Sequence, residues 1–252
     1  MLSHPPEIEI APDAMSLAER AAGRFLRLVG SALRIRGRFT VALAGGSTPW
    51  QLYSLLAEKK LDWVGVHFFW GDERCVPPDA AESNFRMADE ALLSRAAIHA
   101  EYIHRIHGEL PAEKAAMDYQ DELHRFFGYR TPRFDLILLG LGIDGHTASL
   151  FPGSPLVQEK VRWVAAVEHL LPPSPQVDRV TLTPPVLNAA ANILFLVSGE
   201  EKAGRLAQVL QGPHHPDRLP AQVVEPVNGH VCWLVDQAVA GKLIPSKKLR
   251  AW

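Results

Sequence analysis

The stretch FDLILLGLGIDGHTASLFP, residues 134–152, carries the clearest structural signal in the chain. Residues 134–139 form a nearly continuous apolar run of strand length, and Gly140, Gly142 and Gly145 follow it. A strand that is apolar on both faces must be covered on both faces, which is the situation of a parallel sheet between helices. The loop that follows lies beyond the strand's carboxyl end, where open α/β sheets bind their ligands. Closely spaced glycines let the backbone approach a ligand. His146 brings an imidazole that exchanges protons near neutral pH, so it is read as catalytic. Asp144 can orient it or receive a backbone hydrogen bond.

Outward from this stretch, strands and helices alternate. Further strands are expected at 39–43, 66–70, 163–167, 180–183, 193–197 and 231–235, with a short one at 102–106. Helices are expected at 14–29, 49–56, 85–93, 112–127, 200–210 and 237–243, with Met117, Leu123 and Phe127 among the apolar positions of the fourth. Trp70, Trp163 and Trp233 read as core. No internal repeat and no long linker is visible, so residues 1–252 are expected to form a single domain.

The 252 residues include 26 Lys and Arg against 28 Asp and Glu, a net charge of -2. Apolar residues make up 47% and charged residues 21%, ordinary values for a globular protein. Without a basic excess or cluster, a nucleic-acid partner is not expected. No apolar run approaches the ~20 residues of a membrane span, and residues 5–9 (PPEIE) do not resemble a signal peptide. Cys75 and Cys232, the only cysteines, suggest a reducing compartment rather than a disulfide framework, and a cytoplasmic location is expected.

Three further strand ends carry chemistry. After 39–43 come Gly45, Gly46, Ser47 and Thr48. Thr48 suits an N-cap, with Pro49 at the first helical position and Gln51 completing a capping box. Such a helix start favours an anion such as phosphate. The glycine spacing fits neither a dinucleotide fingerprint nor a P-loop. After 66–70 come Asp72, Glu73 and Arg74, which form either a surface ion pair or a site where Arg74 forks onto phosphate and Asp72 holds a hydroxyl or a catalytic group. After 193–197, Lys202 falls in the first turn of a helix, a second candidate phosphate ligand. His104, His107, His214 and His215 lack metal-site spacing and read as surface residues, and no Gly-x-Ser-x-Gly elbow exists. No metal is expected.

Taken together, residues 43–49, 68–77, 83–87, 134–152, 180–183 and 198–203 resemble the 6-phosphogluconolactonase family, within the wider glucosamine-6-phosphate isomerase/deaminase group. The resemblance spans almost the whole chain in the family's order. It implies a three-layer α/β/α sandwich with a mostly parallel, modified Rossmann-like sheet. It also implies hydrolysis of 6-phosphogluconolactone to 6-phosphogluconate, the second step of the oxidative pentose phosphate pathway, without an organic cofactor. By resemblance, His146 is the catalytic histidine. Arg74 and Lys202 hold the substrate phosphate, Gly45, Gly46, Ser47 and Thr48 form the phosphate-side loop, and Gly145 belongs to the substrate-binding loop. Asp72 matches an active-site acid. Asn84 and Arg86 fall in a family segment without an assigned role.

The deaminase branch shares Asp144, Gly145 and His146 but carries a Glu where this chain has Phe151, and Asp-Glu-Tyr where it has Asp72-Glu73-Arg74. Amino-sugar isomerisation needs proton handling at several ring positions, and that Glu is one of the groups for it. Lactone hydrolysis needs only a water activated against one carbonyl. The expected mechanism is therefore direct water attack, with His146 as general base and backbone N–H groups of residues 140–145 as oxyanion donors. A non-catalytic sugar-phosphate sensor is the alternative. Its DNA-binding module is not expected, because a helix fills most of the segment before residue 39. The expected partner is a small phosphorylated lactone, and the expected assembly a monomer or small homo-oligomer.

Overall fold

In the computed structural model, residues 6–59, 61–168, 176–244 and 249–251 are described. The strands are β1 (Glu7–Ala11), β2 (Phe39–Leu43), β3 (Val66–Trp70), β4 (Asp72–Arg74), β5 (Leu136–Leu139), β6 (Val164–Val167), β7 (Arg179–Leu182), β8 (Asn192–Val197), β9 (His230–Asp236) and β10 (Leu249–Ala251). The helices are α1 (Ala14–Arg36), α2 (Ser47–Ala57), α3 (Asn84–Ala88), α4 (Ala112–Phe127), α5 (Pro184–Leu187), α6 (Ala203–Gln211) and α7 (Gln237–Ala240). No helix among the described residues is long and apolar enough to cross a membrane.

Seven strands form one parallel sheet in the order β10-β1-β9-β8-β5-β2-β3. Every residue of β5 is buried, as its unbroken apolar sequence requires. Alternation along the strands sorts the helices into two layers. Phe25 of α1 packs edge-on against Phe39, with ring centroids 5.6 Å apart, and also meets Trp63, which in turn touches Phe68. Phe69, one residue further on, points the other way and meets Phe126 and Phe127 of α4. Trp233 stacks on Phe195 at 3.7 Å on that second face. The result is the expected helix–sheet–helix sandwich.

Helix α1 buries Leu17, Ala18, Ala21, Phe25, Val29 and Ala32, a stripe at helical spacing. Asp13 caps it by accepting from the Ser16 N–H at 2.7 Å, and Gly37, at φ 68°, ends it. It runs to Arg36, beyond the expected residue 29. In α4, Leu123 is buried and Phe127 packs on the core, but Met117 is 68% exposed.

Residues 163–167 and 180–183, read as strands among those of the mostly parallel sheet, belong to a second one. Strands β4, β7 and β6 form an antiparallel three-stranded unit. At Gly71 the chain changes sheets: its N–H bonds Leu43 of β2, and its carbonyl accepts from Leu182 of β7. Short runs such as VAAV and RVTL do not reveal whether they will lie in a parallel or an antiparallel sheet.

Smaller corrections have local causes. Residues 102–106 form no strand: a 3-10 turn covers Ala100–Tyr102, and one bridge joins Ile103 to Phe68. Residues 85–93 form a helix, but it passes from α3 into a π-turn at Asp89–Leu93. The final helix stops at Ala240 rather than 243. His104 is not a surface residue. Its side chain is 11% exposed, bonded to Glu122 at 2.7 Å and to His67 at 3.0 Å, and stacked on Phe69. Trp70, Trp163 and Trp233 are buried as expected.

Two buried tyrosines close the ends of β2 and β3. The Tyr53 hydroxyl accepts from the Ala44 N–H at 3.0 Å and donates to the Ala44 carbonyl at 2.9 Å. The Tyr119 hydroxyl does the same to Trp70, at 2.9 and 3.0 Å. Tyr119→Phe strands both backbone groups in the core. It should lower unfolding stability by about 1–3 kcal/mol, read from urea denaturation curves with an unchanged slope.

Candidate active site

The carboxyl ends of β2, β5 and β8 and the start of the second sheet enclose an open cleft of roughly 720 Å³, counting the solvent at its mouth. Of the residues singled out in the sequence, Gly45, Gly46, Ser47, Thr48, Asp72, Arg74, His146 and Lys202 line it. Gly145 does not. It sits behind the loop at φ 93°, against Leu219 and Arg205, and its carbonyl accepts from Ala221. Its part is to turn the loop, not to line the cleft.

The loop after β5 is built around His146. Nδ1 of His146 lies 2.6 Å from Oδ1 of Asp144, which also accepts the His146 backbone N–H at 3.1 Å. A carboxylate on Nδ1 selects the tautomer with the proton there, leaving the Nε2 lone pair as the basic site. Burial works against the Asp144 charge, but the bonds from His146 outweigh it and hold the carboxyl below its ordinary range. The imidazole lies directly over Gly142: a Cβ there would be 2.1 Å from Nδ1, so only glycine fits. The N–H of Gly142 donates to the His146 carbonyl and that of Gly145 to the Gly142 carbonyl. These two expected oxyanion donors are therefore already engaged. Ala148, a non-glycine at φ 47°, lines the cleft in a strained conformation.

Helix α2 starts two residues earlier than its sequence suggests. The N-cap is Gly46 at φ 109°, and no side chain caps the helix. Thr48 is not the cap. Its hydroxyl instead lies 2.7 Å from the Ser198 hydroxyl, joining the ends of β2 and β8, and no capping box with Gln51 forms. The helix N-terminus still faces the cleft, the geometry that favours an anion. Lys202 ends a 3-10 turn (Glu200–Lys202) leading into α6.

Alternation along β4 separates its three charges. Asp72 and Arg74 line the cleft while Glu73 turns inward. Oε1 of Glu73 accepts from the N–H groups of Arg74 and Asn84, and Oε2 from Phe85 N–H and the Ser83 hydroxyl. It thus anchors the start of α3. Asp72 accepts from the Ser149 hydroxyl at 2.6 Å, tying β4 to the His146 loop. Asn84 donates to the Asp72 carbonyl and lines the cleft beside Gly45, where a Cβ would be 1.9 Å from its Oδ1. Arg86 turns to Glu90 and the Asp79 carbonyl, away from the cleft.

Arg179 is the residue that sequence reasoning missed. It begins β7, is buried, lines the cleft and stands directly across from Arg74 in the β4–β7 ladder. Attention to residues after strands passed over it, because only antiparallel pairing brings the start of a strand to this cleft. Burial pulls its guanidinium down from its ordinary range, partly offset by Asp72 and reinforced by Arg74. Like charges directly opposite are unfavourable, so the pair favours an anion between them.

Elsewhere, Glu7, Glu9 and Cys232 bring three potential ligand atoms within 4.8 Å of one another, at the opposite end of the sheet. Arg24 bridges both carboxylates there.

Residues 12–233 match the family model described as glucosamine-6-phosphate isomerases/6-phosphogluconolactonase. The chain is 39% identical to a protein of Nostoc sp. named 6-phosphogluconolactonase, over 94% of this chain and 98% of that one. It is 42% identical to the human protein of that name, over 84% of each. The solved 6-phosphogluconolactonase from Trypanosoma cruzi superposes with a TM-score of 0.87 at 32% identity, covering 97% of this chain and 99% of that one. A monomeric glucosamine-6-phosphate deaminase shares the fold at 19% identity and a TM-score of 0.78.

The Asp144 carboxyl has a folded pKa below its unfolded value. Its contribution to stability is therefore complete above the unfolded value and is lost as pH falls through the folded one. Asp144→Asn should flatten that part of the acid limb in melting temperatures measured against pH. It should also shift the His146 tautomer balance in imidazole nitrogen NMR spectra.

Proposed function

The chain belongs to the family of glucosamine-6-phosphate isomerases and 6-phosphogluconolactonases, and from that membership we propose that it hydrolyses 6-phospho-D-glucono-1,5-lactone to 6-phospho-D-gluconate. The observation that carries this reading is the cleft itself. It joins a histidine in a carboxylate-fixed tautomer to three cations, Arg74, Arg179 and Lys202, and a helix N-terminus. In the oxidative pentose phosphate pathway this is the second step.

The cations and the amide groups at the start of α2 hold the phosphate and so place the lactone carbonyl against His146. Nε2 takes a proton from a water molecule as its oxygen bonds to the carbonyl carbon. Asp144 keeps Nδ1–H in place and balances the imidazolium that forms. When the tetrahedral intermediate collapses, the bond from that carbon to the ring oxygen breaks and the ring oxygen receives the proton back. No covalent enzyme intermediate is needed. Phe151 offers no carboxylate for the ring-opening relay of the deaminases, which supports the lactonase reading over the isomerase one.

His146→Ala should lower kcat roughly 10²–10⁴-fold with little change in KM. A near-wild-type kcat would exclude His146 as the base. Arg74→Ala, Arg179→Ala and Lys202→Ala should chiefly raise KM, and any of them that leaves phosphorylated-substrate affinity unchanged is no phosphate ligand. The deciding assay is turnover of freshly made 6-phosphogluconolactone above its spontaneous hydrolysis, with glucosamine 6-phosphate unreacted in parallel.

A further inference from the structure

We propose that Phe151 is a positioning residue that ties the catalytic base to the phosphate side of the cleft, an inference that rests on the lactonase reading. Its ring meets two functional groups at once. The His146 imidazole packs on it with centroids 4.7 Å apart and planes tilted by 46°. The Arg179 guanidinium carbon lies 5.4 Å from the centre of the same ring. Phe151 packs partly buried against the core, behind the residues that line the cleft. His146 and Arg179, which it touches, line the cleft.

Each neighbour needs such a contact. The bond from Nδ1 to Asp144 fixes one edge of the imidazole, and Gly142 lies against its face. The Phe151 ring packs on the imidazole as well and completes the walls that set the direction of Nε2. Arg179 is a buried cation, and an aromatic face is one of the few apolar surfaces that attracts a guanidinium. The ring is itself held by a tightly turned segment: the Leu150 N–H bonds the Thr147 carbonyl, the Ser154 N–H bonds that of Phe151, and the Gly153 N–H bonds that of Asp217. One rigid side chain thereby keeps the base and a phosphate ligand in a fixed relation.

The test compares wild-type protein with Phe151→Leu, which keeps an apolar side chain but no ring, and Phe151→Tyr, which keeps the ring. Phe151→Met replaces the leucine variant should that one not fold. Loss of the ring should lower kcat and weaken 6-phosphogluconate binding, each roughly 3- to 30-fold. It should also remove the ring-current shift from the His146 ring protons in NMR spectra. Phe151→Tyr should recover all three. In an Arg179→Lys background, Phe151→Leu should still lower kcat but weaken 6-phosphogluconate binding less than it does in the wild type. Unchanged kcat and binding in Phe151→Leu would overturn the proposal. So would equal losses in the leucine and tyrosine variants, since the ring would then only fill space. The ring-current signature needs no turnover. If the wild type fails to hydrolyse the lactone while that signature still comes and goes with the ring, the functional reading has failed and the contact has not.

Discussion

The pairing of β4 with β7 is the constraint on which the cleft depends. Three residues of β4 lie antiparallel to Arg179, Val180 and Thr181, and this ladder sets Arg74 opposite Arg179 and Asp72 opposite Thr181. Two guanidinium groups on neighbouring strands repel each other, and backbone bonds hold the strands together against that: beside the ladder itself, the Cys75 N–H donates to the Asp178 carbonyl and the Leu182 N–H to the Gly71 carbonyl. On the reverse face, four donors from β4 and the start of α3 converge on the buried Glu73 carboxylate and fix β4 to that helix. Ser149, bonded to both Asp72 and Thr181, attaches the His146 loop to the same ladder. Arg74, Arg179 and the His146 loop are thus positioned by one short piece of sheet.

The parallel sheet was legible in the sequence because its central strands are apolar on both faces. Residues 39–43 and 66–70 were read at their observed limits, and 134–139 within two residues. Strand β1, EIEIA, was not found: its alternating glutamates face Arg24 of α1, so half of the strand is polar for a reason that lies in tertiary structure. Strand β4 is three charged residues long, and no periodicity can be read from so short a run. His146 and the loop of residues 45–48 were visible as glycine-rich turns beyond strands. Arg179 was not, because its place is set by a strand direction that local sequence does not encode. Thr48 was misread as a cap because its hydroxyl has a distant partner, Ser198, which the local pattern cannot show.

A net charge of -2 is compatible with a strongly cationic spot. Arg74, Arg179 and Lys202 share the cleft with Asp72, and Asp144 lies behind His146. The carboxylates are tied up within the protein, Asp72 by Ser149 and Asp144 by His146. Charge balance over the chain limits large polyanions, whereas a single phosphate responds only to the few groups within reach of it.

The tyrosine at the end of β3 has a consequence for how copies of this protein meet one another. β3 is the last strand of a seven-stranded sheet, and an open edge is a template on which further chains can add as strands. Here the Phe68 carbonyl is taken by the His104 N–H, and both backbone groups of Trp70 are taken by the Tyr119 hydroxyl. A hydroxyl can satisfy a strand without extending it. Tyr119 thereby ends the hydrogen-bond ladder chemically, and it guards the most aromatic strand of the molecule against aggregation by edge-to-edge pairing.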